Sequence, residues 1–292
     1  MPAPLEDDFL ENATIAIIGL GLMGGSLALA LRGKCMQRIG YDADPAAVAL
    51  AMEKNMIDKP VSLSSGCLDE ADVIILAAPI LAILQLLDRL PVYHTKTAIV
   101  IDIGSTKKEI VEMMNTLPNR FLPLGGHPMC GKEKHGLTHA DANLFTDMPF
   151  FFCPTNVDPG QQREIAAALC RAVGANPVWV DAHEHDHFVA ATSHLPYLVS
   201  NTLAAVTPRD AAPFISSGFN STTRLAASSI PMMIDILKSN RQNILRAMQR
   251  YKETFDVLVD CLEHEQFTRL KSELQKGAGI KSFMADEQGK NI

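Results

Sequence analysis

The sequence predicts an α/β fold built on a mostly parallel sheet, followed by an all-α part. Three observations predict it. Short apolar runs alternate with helical patterns through roughly the first 180 residues, as in successive βαβ units. Strand signals stop after Asp181, and the rest of the chain reads as helix to near the C-terminal end. No internal repeat or long low-complexity linker separates the two, so the boundary is expected at residue 182, giving domains 1–182 and 183–292.

Residues 14–18 (TIAII) form a buried strand ended by glycines, and residues 23–31, rich in Ala and Leu, a helix. Residues 38–41 make the second strand. Asp44 and Pro45 then open a helix, because Asp caps it and proline suits the first turn. Residues 73–78 and 98–102 are two further buried strands. Thr106 and Glu109 have capping-box spacing, which starts another helix. Residues 121–124 are strand-like, and 150–153 and 177–180 are later strands. Between these last two, Asp158-Pro159 starts a helix that Gly174 closes. Helices are expected over 184–206, 211–215, 231–252 and 254–274.

Gly19-Leu20-Gly21-Leu22-Met23-Gly24 has the pattern G-x-G-x-x-G and sits between a strand and a helix. That context is the one a dinucleotide-binding turn requires. One glycine allows a tight turn, another a close approach of backbone to pyrophosphate, and the third close packing of helix on sheet. The first part therefore reads as a Rossmann domain. Gly19, Gly21, Leu22, Met23 and Gly24 are its cofactor residues, joined by Ala78 and Pro79 where the 73–78 strand runs into a loop. Asp42 ends the second strand, twenty-three positions after Gly19, with no Arg or Lys close behind it. An acid there accepts from ribose hydroxyls and repels a 2′-phosphate, which favours NAD over NADP. The other reading is that Asp42 only caps the following turn.

Composition narrows the function. The 292 residues carry 26 basic and 33 acidic side chains, a formal charge of −7, and 47% are hydrophobic. Disorder and a membrane span are not expected, and net negative charge disfavours nucleic acid or an anionic membrane surface. The acidic first ten residues do not resemble a signal peptide, so a cytoplasmic protein with six thiols is expected.

Three polar constellations offer chemistry. In Gly104-Ser105-Thr106-Lys107, either Thr106 caps the helix and frees Ser105 to face the cleft, or Ser105 is itself the cap. In residues 125–131 (GGHPMCG), His127 lies on a segment read as irregular and tightly turned, a suitable place for a proton acceptor. In the helical part His194, Tyr197 and Asn201 share one face, and Pro196 is expected to kink their helix. Farther on, Arg224 is either a carboxylate-binding fork or a surface ion pair. The run 183–187 (HEHDH) invites a metal. Yet alternate residues diverge at a helix start, no second ligand group has a zinc spacing, and acids suit a first turn, so no metal is expected.

The segments GLGLMGGSLALAL, DIGSTK, GGHPMCGKEKHG, EHDHFVAATSHLP and GFNSTTRLAASS occur in the order seen in prephenate and arogenate dehydrogenases. Over residues 13–270 the sequence resembles that family (TyrA). The resemblance implies an NAD-dependent oxidation at C4 of prephenate, with loss of the C1 carboxylate as CO₂, on the route to tyrosine. Arogenate is the alternative substrate. By position, His127 matches the catalytic histidine and Ser105 the serine that orients the hydroxyl. Arg224 matches a carboxylate-binding arginine, His194 a polar group of the pocket, and Glu133 an acid linked to gating or substrate contact. The pattern departs at Tyr197, where many prephenate-specific members have a second histidine. It departs again at Ser221 in place of an Asp, and at Met233 in place of a Trp. Tyr197 and Ser221 thus stand near the substrate side chain. The family implies a homodimer through the helical part, for which Leu198, Leu203, Val206, Leu237, Ile244, Leu245 and Val257 are candidates. A 3-hydroxyisobutyrate-type dehydrogenase is disfavoured because the second-part helix offers no lysine, and a non-catalytic NAD-sensing module is disfavoured by the intact His, Ser and Arg positions.

Overall fold

The computed structural model describes residues 9–131 and 136–290. In chain order the α/β part comprises β1 (Thr14–Ile18), α1 (Leu22–Ala30), β2 (Gln37–Tyr41), α2 (Pro45–Glu53), β3 (Lys59–Pro60), β4 (Val73–Leu76), α3 (Ile80–Tyr93), β5 (Ala98–Asp102), α4 (Lys108–Met114), β6 (Phe121–Pro128), β7 (Pro149–Cys153), α5 (Pro159–Val173) and β8 (Asn176–Trp179). Among the described residues the strands form one sheet in the order β3-β2-β1-β4-β5-β6-β7-β8, parallel except where β7 meets β6. The order reverses between β1 and β4. Such a switch point leaves a crevice at the carboxyl ends of the strands, where ligands of open α/β sheets bind.

Period-two alternation, with both faces buried, explains why β1, β4 and β5 are apolar apart from Thr14 at the start of β1 and Asp102 at the end of β5. Ile15, Ile17, Ile75 and Ile101 pack on one face with Leu27 of α1, Leu31 just after it, and Ile165 and Leu169 of α5. Ala16, Ile18, Ile74 and Val100 pack on the other with Ile83 and Leu87 of α3 and Ile110 and Met114 of α4. Both faces are covered, as a parallel sheet requires. Local signals for helix ends hold where they lie next to the helix. Asp44 accepts the Ala46 N–H, Asp158 accepts the Gln161 N–H, and Gly174 closes α5 in the left-handed region.

Two local expectations are corrected. His127 is not on an irregular turn: β6 runs straight through Gly125-Gly126-His127-Pro128 and pairs with β7, Gly126 opposite Phe152 and His127 opposite Phe151. Gly126 is there for closeness, since a Cβ would come within 2.6 Å of the Asp102 carbonyl oxygen. The capping box at Thr106 does not form either. The hydroxyl of Thr106 instead meets that of Ser239 at 2.9 Å, and α4 starts without a cap from its own segment.

The helical stretch is more broken than its periodicity predicts. The helix expected over 184–206 is α6 (Ala182–Val189), a π-helical turn (Ala190–His194) and α7 (Leu195–Val206). Pro196, lacking an N–H, falls in the first turn of α7, so the ladder is interrupted before it. After a 3₁₀ segment (Arg209–Phe214) come α8 (Ser217–Thr223), α9 (Ile230–Ser239), α10 (Arg241–Glu263) and α11 (Phe267–Lys290). The helix expected over 231–252 breaks at Asn240, whose side chain is buried. The next expected break, near 253, is absent because α10 continues to Glu263, and Glu265 at φ 53° makes the turn to α11.

By compactness the chain divides into a unit ending at Asn240 and a unit starting at Arg241. Within the first, Tyr197 of α7 and Met233 and Ile236 of α9 join the core on one face of the sheet. Within the second, α10 and α11 pack together and leave Leu245, Phe255, Leu262, Phe267, Leu274 and Phe283 exposed. Of the residues expected at a shared interface, Val206 and Leu245 are exposed while Ile244 is buried. Among the described residues no helix is long and apolar enough to cross a membrane.

Candidate active site

The Gly-rich turn lies at the switch point. Gly19, at φ 103°, has no room for a side chain, because a Cβ would be 2.5 Å from the Ala77 carbonyl oxygen. Gly24 is tighter still, 1.8 Å from the Gly19 carbonyl oxygen. Gly21 is the opposite: nothing stands within 4 Å of where its Cβ would be, so its missing side chain keeps open space beside the backbone. Gly21 is also the N-cap of α1, with no side-chain cap and no acid in the first turn. A helix start of this kind presents N–H groups and a positive dipole end to an anion. These are the properties a pyrophosphate requires, and the residues present fit a dinucleotide.

Two clefts meet here and share Gly21, Ala77, Ala78 and Pro79. One, of about 520 Å³, is bounded by Gly19, Tyr41, Asp42 and Arg89. Asp42 supports the turn itself: one carboxylate oxygen accepts the Leu20 N–H at 2.6 Å and the other the Asp44 N–H at 2.8 Å. The turn-capping reading of Asp42 therefore describes part of what it does, while its carboxylate still borders the cleft. The other cleft, about 380 Å³, is lined by Leu22, Met23, Ser105, His127, Cys130 and Ile236, among others. Burial pushes the Cys130 thiol up to about 12, so it is no nucleophile at neutral pH.

Behind the second cleft lies a buried polar system. Asp102, the last residue of β5, accepts the Gly104 N–H at 2.8 Å and the Gly126 N–H at 3.1 Å. The fully buried ammonium of Lys107 pairs with the same carboxylate and donates to the Gly126 carbonyl oxygen at 2.6 Å. Burial pushes the Asp102 carboxyl up, opposed by the Lys107 ammonium and these N–H donors. One pair thus ties the loop carrying Ser105 to the strand carrying His127. Asp186 of α6 supplies the cap that Thr106 does not, accepting the Lys107 N–H at 2.7 Å and the Lys108 N–H at 2.9 Å.

His127 Nδ1 is 2.9 Å from Nε2 of His185, whose own Nδ1 is 2.9 Å from Asp186. Burial, then the neighbouring His185, Lys107 and His194, hold the His127 imidazolium well below the usual histidine range. The ring is neutral at pH 7 and able to take a proton. His194 is buried, its Nδ1 3.3 Å from the Asn240 amide nitrogen, and burial lowers it to about 4. The same amide donates to the Asp186 carbonyl oxygen at 2.6 Å.

The structure thus gathers Gly21, Leu22, Met23, Ala78, Pro79, Ser105 and His127 around the clefts, with Gly24 buried beneath the turn and Asp42 at one end. Tyr197 is in the core, and Ser221 and Arg224, exposed near the end of α8, are not among the residues lining either cleft. Glu133, with Lys132 and Lys134, lies outside the described residues. Sequence reasoning missed Asp102, Lys107, His185 and Asp186. A usable signal existed for two of them: Ala182, His185, Asp186 and Val189, the buried positions of α6, fall at i, i+3, i+4 and i+7.

Comparison with known proteins identifies the family. Residues 27–179 match the nucleotide-binding domain of prephenate dehydrogenase, and residues 181–276 match its dimerization domain. The chain belongs to the prephenate dehydrogenase family. A relative from Lactococcus lactis subsp. cremoris, a prephenate dehydrogenase, is 30% identical, covering 94% of this chain and 78% of its own. The prephenate dehydrogenase of A. aeolicus, solved with hydroxyphenyl propionate and NAD⁺, superposes with a TM-score of 0.84 at 27% identity, covering 94% of this chain and 98% of that one. Synechocystis arogenate dehydrogenase superposes at 0.78 with 30% identity, over 93% and 99%. The family's two domain models change over between residues 179 and 181.

Proposed function

We propose that the chain is an NAD-dependent prephenate dehydrogenase, forming 4-hydroxyphenylpyruvate and CO₂, and that it works as a homodimer with 1–182 and 183–292 as its functional domains. The observation that carries the reading is the convergence of Ser105, after β5, and a neutral His127, at the end of β6, on the cleft beside the Gly-rich turn. The N–H groups of Leu22 and Met23 would hold the diphosphate, Asp42 the ribose hydroxyls, and Ala78 and Pro79 would wall the site. When bound, the nicotinamide supplies the hydride acceptor. His127 takes the proton of the substrate hydroxyl, which Ser105 orients. Arg224 holds a carboxylate, with His194, Tyr197, Ser221 and Glu133 serving the rest of the substrate.

The test is steady-state kinetics with prephenate or arogenate, each paired with NAD or NADP. Prephenate with NAD is expected to have the highest kcat/KM. A higher value with arogenate would establish the second reading. Gly24→Ala is expected to weaken NAD binding about tenfold or more, because a Cβ would press on the Gly19 carbonyl; an unchanged Kd by calorimetry would contradict this. Arg224→Ala is expected to raise KM about 10- to 100-fold with little loss of kcat, as for a carboxylate contact made equally in ground and transition states. A kcat loss at constant KM would remove Arg224 from that role.

A further inference from the structure

Two members of the run 183–187 point at the chemistry. His185 and Asp186 are buried while His183, Glu184 and His187 are exposed, so the helix sorts the run into an inner pair and an outer, solvated set. The inner pair ends on His127. Resting on the proposed role of His127, we propose that His185 and Asp186 are positioning residues that set its tautomer, leaving Nε2 as the unprotonated atom available to the cleft.

The donors fix where each hydrogen lies. Asp186 already accepts the Lys107 and Lys108 N–H groups, which are donors only, at the start of α4. A carboxylate held by a helix N-terminus stays an acceptor. The 2.9 Å contact from His185 Nδ1 to Asp186 therefore carries its hydrogen on His185. With its ring hydrogen at Nδ1, His185 offers a lone pair at Nε2, so the 2.9 Å contact to His127 Nδ1 carries its hydrogen on His127. A neutral His127 protonated at Nδ1 has its lone pair at Nε2. With one hydrogen on each ring, every link follows from the one before it, and the chain begins at two backbone N–H groups that cannot change role. When the substrate O–H bond breaks and the Nε2–H bond forms, His127 becomes an imidazolium whose Nδ1–H already has an acceptor, with the Asp186 charge one ring away. The other groups acting on His127 are Lys107, paired with Asp102, and His194 from the π-helical turn, while Glu109 and Cys153 lie near Asp186.

The edge-on packing of the two rings adds a steric component. Their centroids are 5.1 Å apart at an interplanar angle of 69°, and Phe151 stands edge-on to His185 at 6.1 Å. The rings are held in the orientation that the hydrogen bonds need.

Two measurements test the proposal. In the wild-type protein labelled with ¹⁵N-histidine, His127 is expected to show the Nδ1–H tautomer at pH 7, with assignment by the His127→Gln variant; an Nε2–H tautomer would overturn the proposal without any assay of turnover. In kinetics, His185→Phe removes both ring nitrogens and leaves the Asp186 cap of α4 intact. It is expected to lower kcat about 100-fold with KM within threefold, as when a base loses the group that orients it. His185→Gln, whose carbonyl oxygen can accept the Nδ1–H, is expected to recover at least tenfold of that loss. Equal activity of the Phe and Gln variants, or a Phe variant with wild-type kcat, would overturn it. The parent reading fails separately, by His127→Gln retaining wild-type kcat.

Discussion

Replacing His127 by asparagine is expected to lower kcat about 10³-fold while KM changes only a few-fold. General base catalysis contributes roughly 10²- to 10⁴-fold, and a neutral ring at the end of β6, facing the cleft, is placed to supply it. Asparagine keeps a polar group there and loses the basic nitrogen. The pH profile separates this role from simple binding. The His127 imidazolium is held well below the ordinary histidine value, chiefly by burial. The active, neutral form therefore persists as pH falls through 6.5, the usual value. Activity should decline only at lower pH, where the lowered pKa is crossed, and that acid limb should be missing from the residual activity of the variant. A wild-type limb centred at or above pH 6.5, or one retained in the variant, would count against His127 as the base.

The second large effect is on stability. Lys107→Met is expected to destabilise the protein by about 3–5 kcal/mol, because it leaves the Asp102 carboxyl buried without its cation. Urea unfolding followed by the fluorescence of Trp179, the sole tryptophan, at the end of β8 reports on this unit. The double variant Lys107→Met/Asp102→Leu is expected to recover only part of the loss. It removes the stranded carboxylate but leaves the Gly104 and Gly126 N–H groups without their acceptor. Full recovery would mean that the pair contributes little beyond filling space. A loss under about 1 kcal/mol in the single variant, the range of an exposed pair, would contradict a buried ionic tie between the Ser105 loop and β6.

His127 and Lys107 differ in how legible they are in the sequence. His127 stands out because glycines flank it and because GGHPMCG is shared with a family. Its setting is easily misread, since paired glycines signal a turn as readily as a strand that must pass close to its neighbour. Lys107 carries no signal of burial: a lysine near a helix start is ordinarily solvated, and its counter-ion, the last residue of a strand, is met only when β5 and β6 lie side by side. His185 and Asp186 are visible as a cluster, but first-turn polarity accounts for such a cluster equally well. Their neighbours His127 and Lys107 are 58 and 79 positions away respectively, and no local spacing encodes a contact of that range.

What the sequence by itself determined is what short-range physics dictates. Apolar strands covered on both faces, the Gly19–Gly24 turn between a strand and a helix, and caps adjacent to their helices follow from backbone sterics and from side chains a few residues apart. Those are the α/β class, the dinucleotide cradle and the family. Tertiary structure alone decided which polar groups lose water and whom they meet. Asp186 rather than Thr106 caps α4, Asn240 breaks a helix to hold the Asp186 carbonyl, and His185 backs the ring of His127. The physical reason is that burying a polar group is unfavourable unless a partner is supplied, and here the partners come from segments distant in sequence.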